Sequence, residues 1–122
     1  MHELAITERI MQIALNHLPV DEDVRVSDVY LVIGELSSIV ADSVQFYWEI
    51  IARDTAVSTA TLHFRRIPTQ LSCQTCQHSY QPLPEDWACP TCGSLRVRVT
   101  AGEEFYVEAI EVEEEVGQPI TT

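Results

Sequence analysis

The feature that most constrains this chain is a pair of Cys-x2-Cys motifs. The only cysteines of the 122-residue sequence follow the pattern C-x2-C-x12-C-x2-C and are Cys73, Cys76, Cys89 and Cys92. Each motif can turn two sulfur atoms toward one point, and the intervening residues can form a hairpin that brings the two turns together. The spacing predicts that four thiolates bind one tetrahedral Zn²⁺, with Zn–S distances of roughly 2.3 Å.

This metal site is expected to be structural, because its four ligands leave no open coordination position and include no general base. Disulfides or redox thiols are the main alternative, but no thioredoxin-like βαβ pattern surrounds the cysteines. Iron fits the same four sulfur atoms as zinc. His78, two residues beyond Cys76, either replaces or contacts a thiolate or is a surface histidine.

The charge of the chain limits its partners. Acidic residues number 19 against 7 basic ones, all arginine, so the net charge is −12. An acidic protein lacks the basic footprint needed for nonspecific nucleic-acid binding, and it is repelled by anionic membranes. No apolar run approaches the ~20 residues that span a bilayer, and the N-terminus has no basic, signal-like region. A cytoplasmic location is expected.

Hydrophobic periodicity predicts two helices and several strands. Residues 4–18 form an amphipathic helix, with one stripe made of Ile6, Ile10, Ile13, Ala14 and His17. Residues 25–34 are apolar on both faces, which indicates a central strand. A second helix is predicted over 42–53, capped by Asp42 with Gln45 three residues on. Its buried stripe would contain Val44, Tyr47, Trp48 and Ile51.

Three further strands are predicted around the cysteines. One covers residues 60–67, one places Leu95, Val97 and Val99 on the same face, and the last covers about 104–113. Apolar residues change parity in the last strand, which predicts a β-bulge near Glu108 and Ala109. The expected fold is α+β, with two helices packed on a small mixed β-sheet and an inserted four-cysteine, zinc-ribbon-like module.

The predicted domain division follows from this order of elements. Residues 1–69 plus 103–115 would form an α+β domain that binds nickel, for the reasons given below. Residues 70–102 would form the zinc-binding module, and residues 116–122, which show no pattern, a disordered tail.

The N-terminus is a candidate second metal site. A terminal amine, the amide of residue 2 and the imidazole of His2 can chelate one ion in adjacent rings. Such nitrogen-rich, planar coordination favours Ni²⁺ or Cu²⁺ over Zn²⁺. The first amides of a helix lack intrahelical acceptors, so a metal can use them, although the positive end of the helix dipole opposes a cation there. Glu3 can offset that opposition. An exposed histidine without a ligand role is the alternative.

Several motifs occur together in order: Met1-His2-Glu3-Leu4, Ile33-Gly34-Glu35-Leu36-Ser37, the aromatic helix Phe46–Trp48, the paired Cys-x2-Cys motifs and the strand Val107–Val112. This combination resembles the HypA/HybF family of nickel metallochaperones for [NiFe]-hydrogenase maturation, over roughly residues 1–114. Some members have a further nickel-binding histidine near the second Cys-x2-Cys motif. Here Gly93 follows Cys92, and residues 96 and 98 are arginines.

The resemblance implies a binding protein rather than an enzyme. It implies Ni(II) as delivered cargo, bound by His2, the Met1 amine and Glu3, and a structural Zn(II) on the four cysteines. The implied partners are the nickel-binding GTPase HypB and the hydrogenase large-subunit precursor, with neither nucleic acid nor membrane as a partner. A homodimer is a further expectation. Urease maturation is an additional client role in the family.

The competing hypothesis is a zinc-ribbon module that binds nucleic acid or acts in transcription. It would require a local basic patch formed by Arg65, Arg66, Arg96 and Arg98. The net charge of −12 argues against it. An enzyme is also disfavoured, since no serine–histidine–acid arrangement, phosphate loop or open metal site stands out. His17 and His63 are expected to be structural or surface residues.

Overall fold

A computed structural model describes residues 3–18 and 24–114 of the chain. The predicted α+β class is confirmed, with two helices and two three-stranded sheets in the described residues. The elements in chain order are α1 (Glu3–Asn16), β1 (Val24–Gly34), α2 (Ala41–Ile51), β2 (Thr61–Ile67), β3 (Gln70–Cys73), β4 (Ser79–Tyr80), β5 (Val97–Ala101) and β6 (Phe105–Glu114). The sheets have the strand orders β2-β1-β6 and β4-β3-β5. The predicted tail, residues 116–122, lies outside the described residues.

The chain divides into two compact units. Of the described residues, the first contains 3–18, 24–31, 39–65 and 106–114, and the second contains 32–38 and 66–105, including all four cysteines. Neither described helix is long and apolar enough to cross a bilayer.

Helix α1 ends at Asn16, two residues before the predicted end. Ile10 and Ala14 of the predicted stripe are buried, while His17 is exposed beyond the helix. Thr7, which was not expected inside, is also buried, and its hydroxyl donates to the Glu3 carbonyl at 2.5 Å. This bond satisfies the one polar group that α1 buries, so α1 can pack closely against α2.

Strand β1 is the middle strand of its sheet, as predicted. Val29, Leu31 and Ile33 have no exposed surface, and Val32 between them has none either. A strand covered on both faces can carry apolar side chains at every position, which explains the unbroken run in the sequence.

The predicted cap of α2 is wrong. The helix begins at Ala41, and Val40 precedes it in an extended conformation without a side-chain cap. Asp42 lies inside the first turn, and the Gln45 amide donates to Glu49 at 3.0 Å. Backbone hydrogen bonds begin the helix instead, because the Val40 carbonyl accepts the N–H groups of Ser43 and Val44. Of the predicted buried stripe, Val44 and Trp48 are buried, and Tyr47 and Ile51 are half-buried.

The second sheet surrounds the cysteines and was only partly predicted. Strand β3 pairs antiparallel with both β4 and β5, so that Leu71 lies opposite Tyr80 on one side and Val99 on the other. The prediction for Leu95 is wrong: β5 begins at Val97, and 74% of Leu95 is exposed. Leu71, Cys73, Tyr80 and Cys89 form a small core of this unit.

Two cross-strand contacts support the predicted change of phase in β6, while the β-bulge near Glu108 and Ala109 stays a prediction. The Arg65 guanidinium donates to the Glu108 carboxylate at 3.0 Å, and the Tyr30 hydroxyl donates to Glu111 at 3.2 Å. His63 contacts both β1 residues Asp28 and Tyr30, so Tyr30 shares a sheet face with His63 and Arg65. Glu108 and Glu111, three residues apart, therefore reach that same face.

Candidate metal centre

The four cysteine sulfur atoms converge on one point. All of them lie within 4.8 Å of one another. The Cys73 and Cys92 sulfurs are 3.6 Å apart, and so are the Cys76 and Cys89 sulfurs. Four thiolates at about 2.3 Å around one Zn²⁺ place their sulfurs about 3.8 Å apart in a regular tetrahedron. The cluster therefore has the size and the donor set that zinc requires.

The two Cys-x2-Cys turns repeat the same backbone bonds. In the first, Gln77 N–H donates to the Cys73 carbonyl and Cys73 N–H donates to the His78 carbonyl, both at 2.9 Å. In the second, Gly93 N–H donates to the Cys89 carbonyl at 2.7 Å and Cys89 N–H to the Ser94 carbonyl at 2.9 Å. The residue after each second cysteine has a positive φ, 67° at Gln77 and 75° at Gly93. Two equivalent turns thus present two sulfurs each.

Backbone N–H groups point at the sulfurs and tune their ionisation. The N–H groups of Cys76 and Thr75 contact the Cys73 sulfur at 3.5 Å and 3.4 Å. Both contacts lower the pKa of the Cys73 thiol, the Cys76 N–H by more than the Thr75 N–H. The pKa falls to about 6, although desolvation opposes the shift. Desolvation opposes the ionisation of Cys89, but N–H groups of Cys92 and Thr91 outweigh it and lower that pKa as well.

The other two thiols shift the opposite way. The His78 N–H favours the Cys76 thiolate, but desolvation and the neighbouring thiols outweigh it and raise the pKa of Cys76 to about 12. The Ser94 N–H likewise favours the Cys92 thiolate, yet desolvation and the Cys73 thiol raise its pKa. Four thiolates this close repel one another. A divalent cation supplies the positive charge that lets all four ionise together.

The surroundings of the cluster fit a structural site. Cys73 and Cys89 are buried, whereas Cys76 and Cys92 are exposed. His78 is also exposed, and its ring stacks on Tyr80 with a centroid distance of 5.7 Å. Among the described residues, the side chains close enough to share one metal ion here are the four cysteines, and His78 is not among them. The role of His78 as a replacement ligand is therefore not supported.

The predicted nickel site is only partly within the described residues. Met1 and His2 lie outside them, whereas Glu3 is the first residue of α1. The Glu3 carboxylate accepts the Val40 N–H at 3.3 Å, immediately before α2. A carboxylate has several lone pairs, so this contact leaves acceptor capacity on Glu3. Glu3 thus places a negative charge at the N-terminal end of α1, next to the start of α2.

A polar network on the β2-β1-β6 sheet was not found from sequence. The His63 Nε2 atom lies 2.7 Å from the Asp28 carboxylate, and the His63 ring stacks on Tyr30 at 4.5 Å. The bond from His63, followed by one from Ser27, lowers the pKa of Asp28, while desolvation and Glu111 raise the pKa of Tyr30. Alternation of polar residues along β1 and β2 was the available signal, but only strand pairing shows which ones meet.

Comparisons with known proteins agree with this geometry. Residues 1–112 match the family described as "Hydrogenase/urease nickel incorporation, metallochaperone, hypA". Hydrogenase maturation factor HypA from Dehalococcoides mccartyi is 36% identical over 115 residues, covering 94% of this chain and 97% of that protein. Hydrogenase maturation factor HybF from Klebsiella pneumoniae is 33% identical over 113 residues, covering 93% of this chain and 100% of that protein.

A solved structure shows the same fold. The solution structure of the Ni metallochaperone HypA from Helicobacter pylori matches with a TM-score of 0.63 at 24% identity, covering 94% of this chain and 100% of that one. Sequence and fold thus agree over nearly the whole length. This chain belongs to the HypA family of nickel metallochaperones in hydrogenase maturation, which are maturation factors and not enzymes.

Proposed function

We propose that this chain carries Ni(II) at its N-terminus, with His2 as the principal ligand, and releases it to a maturing hydrogenase. The observation that carries the proposal is that the family match begins at residue 1 and therefore includes Met1-His2-Glu3. The His2 imidazole, its own amide nitrogen and the Met1 amine form adjacent chelate rings. That donor set suits Ni²⁺ better than Zn²⁺.

The start of α1 supports this assignment chemically. The first N–H groups of a helix have no intrahelical acceptor, so a metal can use backbone nitrogen there without breaking helical bonds. The helix dipole disfavours a cation at this end. Glu3 offsets it, because its carboxylate lies in the first turn and accepts only an exposed, 3.3 Å bond from Val40 among its described side-chain contacts. Glu3 is the proposed additional nickel ligand or electrostatic support.

The four cysteines are proposed to hold a resident, structural zinc ion. When bound, zinc supplies the cross-link that holds the two Cys-x2-Cys turns together. The chain itself orients the sulfurs through the repeated turn bonds and favours the thiolates through N–H contacts. Iron is the competing metal, and an iron tetrathiolate is distinguished by its visible absorption.

Delivery requires ligands that exchange. A site at a chain terminus can pass its ion to a partner by stepwise ligand replacement, whereas a closed four-thiolate site resists exchange. We propose HypB and the hydrogenase large-subunit precursor as the partners on either side of this transfer, in the cytoplasm, and a homodimer as the free form. The net charge of −12 raises the local concentration of cations near the chain.

The test uses protein whose N-terminus is Met1, and measures nickel and zinc per chain after equilibrium dialysis against Ni²⁺. We expect one nickel and one zinc in the unmodified chain, and one zinc without nickel in His2→Ala. His17→Ala is the matched control, because His17 is an exposed histidine beyond the other end of α1. Stoichiometric nickel in His2→Ala would overturn the proposed site without affecting the family assignment.

A further inference from the structure

An apolar groove runs along strand β6 beside helix α1. Ile13 and His17 line it from the helix, and β6 contributes Val107, Glu108, Ala109, Ile110 and Val112. The groove has a volume of about 420 Å³. Among the described strands, β6 has a neighbour on one side only, because it ends the sheet order β2-β1-β6. The groove is therefore bounded by the open edge of a sheet.

The backbone at this edge can accept another strand. The Ser27 hydroxyl of β1 donates to the Glu111 carbonyl at 3.2 Å, so this carbonyl lies on the side of β6 that faces β1. Successive residues of a strand direct their N–H and C=O groups to opposite sides. This alternation predicts that the carbonyls of Ile110 and Val112 point away from β1, toward the open edge. Such groups form a template for an added strand.

The two faces of β6 differ in chemistry. Glu108 and Glu111 lie on the polar face, where they contact Arg65 and Tyr30. The apolar residues Val107, Ile110 and Val112 line the groove, which Glu108 also borders, and Val112 is 48% exposed. A strand added beside β6 would place alternate side chains next to carboxylates and next to apolar surface.

This pattern selects the occupant. If two copies of the chain paired through their β6 strands, each edge would carry Glu108, Glu111 and Glu113. The carboxylates of one copy would then lie next to those of the other. Like charges on neighbouring strands are destabilising, so self-pairing is disfavoured. A strand with basic residues on one face and apolar residues on the other complements both surfaces.

We propose that the β6 edge and the adjoining groove are a docking site for an extended segment of a partner protein, in which apolar and basic residues alternate. The segment adds to the sheet through main-chain hydrogen bonds, its apolar side chains fill the groove, and its basic side chains face Glu108 and Glu111. This inference does not depend on the nickel site, so either can fail alone.

The probe is a fluorescent nine-residue peptide that alternates valine with arginine, titrated into the full-length, zinc-loaded chain and followed by anisotropy. We expect saturable binding, and none with a peptide that alternates valine with glutamate. A third peptide carries N-methyl groups on every second amide. It is made in two versions, one methylated at the odd-numbered amides and the other at the even-numbered amides. Only one version blocks the amides that face β6, so one should bind and the other should not.

Charge-reversal variants locate the site. Glu108→Lys should weaken binding of the arginine peptide by about fivefold to tenfold, because it adds a positive charge at the edge and releases Arg65 from its ion pair. Glu85→Lys makes the same change in net charge at an exposed residue that does not line the groove, and it should weaken binding by less than about twofold. Heteronuclear NMR of the zinc-loaded chain should show the largest shifts at residues 107–112 and Ile13.

Four results would overturn the proposal. Equal binding of both N-methylated versions would exclude strand addition, and equal weakening by both charge reversals would indicate nonspecific attraction. A concentration-dependent dimer that the peptide dissociates would make a second copy the occupant. If the peptide bound a chain that ends at Glu114 but did not bind the full chain, the occupant of the groove would be residues 115–122.

Discussion

The Cys73 and Cys92 sulfur atoms lie 3.6 Å apart, although they belong to different turns at opposite ends of the cysteine segment. The segment between Cys76 and Cys89 closes through few contacts in the described residues, among them a 2.6 Å bond from the Tyr80 hydroxyl to the Trp87 carbonyl. Such a small core does not hold two turns together on its own. We therefore expect the proposed zinc ion to supply much of the folding free energy of this segment.

Cys76→Ala should lower bound zinc below one equivalent and disorder residues 73–92. Cys76 is exposed, so the variant removes a ligand without opening a buried cavity. Zinc content by mass spectrometry and amide NMR signals of residues 73–92 measure the effect. Thr91→Ala, a substitution at an exposed position of the second turn, is the control and should keep its zinc. Full zinc retention with unchanged spectra in Cys76→Ala would defeat the assignment.

Gly93→Ala should destabilise the zinc-loaded chain by roughly 1–2 kcal/mol, because position 93 has a φ of 75° and a left-handed backbone costs a non-glycine residue about that much. No atom lies within 4 Å of the added Cβ, so steric clash does not contribute. Gln77→Gly is the converse change at the equivalent position of the first turn, where φ is 67°. It should be neutral or stabilising in urea denaturation. No loss of stability in Gly93→Ala would contradict the cost assigned to a left-handed backbone at position 93.

The unit that contains α1 and α2 should stay folded without the zinc site. Its core is made of residues such as Val26, Val29 and Trp48, which are almost wholly buried and need no metal. In Cys89→Ala we expect retention of most helical circular dichroism, with limited proteolysis confined to residues 66–105. The division into 1–69 plus 103–115 and 70–102 is a proposal that the positions of the cuts will refine. Loss of the helical signal would mean that the chain unfolds as one cooperative unit.

The bond between Glu35 and Thr69 should make stability depend on pH in the acid range. The Thr69 hydroxyl and N–H donate to the Glu35 carboxylate at 2.6 Å and 2.8 Å, and in that order they lower its pKa from the ordinary value of 4.5. A carboxyl with a lowered folded-state pKa stabilises the fold above its unfolded-state pKa. That contribution is lost as the pH falls below 4.5 and through the folded-state pKa.

Glu35→Gln should therefore flatten the dependence of the unfolding midpoint on pH below about pH 5, measured by urea denaturation at several pH values. Glu85→Gln, at an exposed acid of the same unit, is the comparison and should leave the profile unchanged. If both variants keep the unmodified profile, the Glu35 bond does not contribute.

Local patterns in the sequence predicted the parts of the fold that local physics determines. The apolar run of β1 indicates burial on both faces, and the spacing of the four cysteines indicates that their sulfurs converge on one point. Both predictions are confirmed. The cap of α2 is wrong, because Asp42 and Gln45 have the required spacing but the Val40 carbonyl starts the helix one residue earlier.

The remaining features depend on long-range pairing. Leu95 continues the alternation of β5 but lies before the strand begins, where 74% of it is exposed. The contact between His63 and Asp28 joins positions 35 residues apart, and sequence alone does not indicate which polar residues of two strands will meet. The ligand role of His2 is likewise still a proposal, since His2 lies outside the described residues.

The central claim is that nickel binds at the N-terminus, and calorimetric titration with Ni²⁺ tests it most directly. Three proteins are compared: the chain starting at Met1, the same chain with one glycine placed before Met1, and His2→Ala. Only the first should bind one equivalent, with protons released and affinity falling as the pH drops through about 6.5, where imidazole protonates. Equal binding by all three would contradict the account and place the nickel site elsewhere.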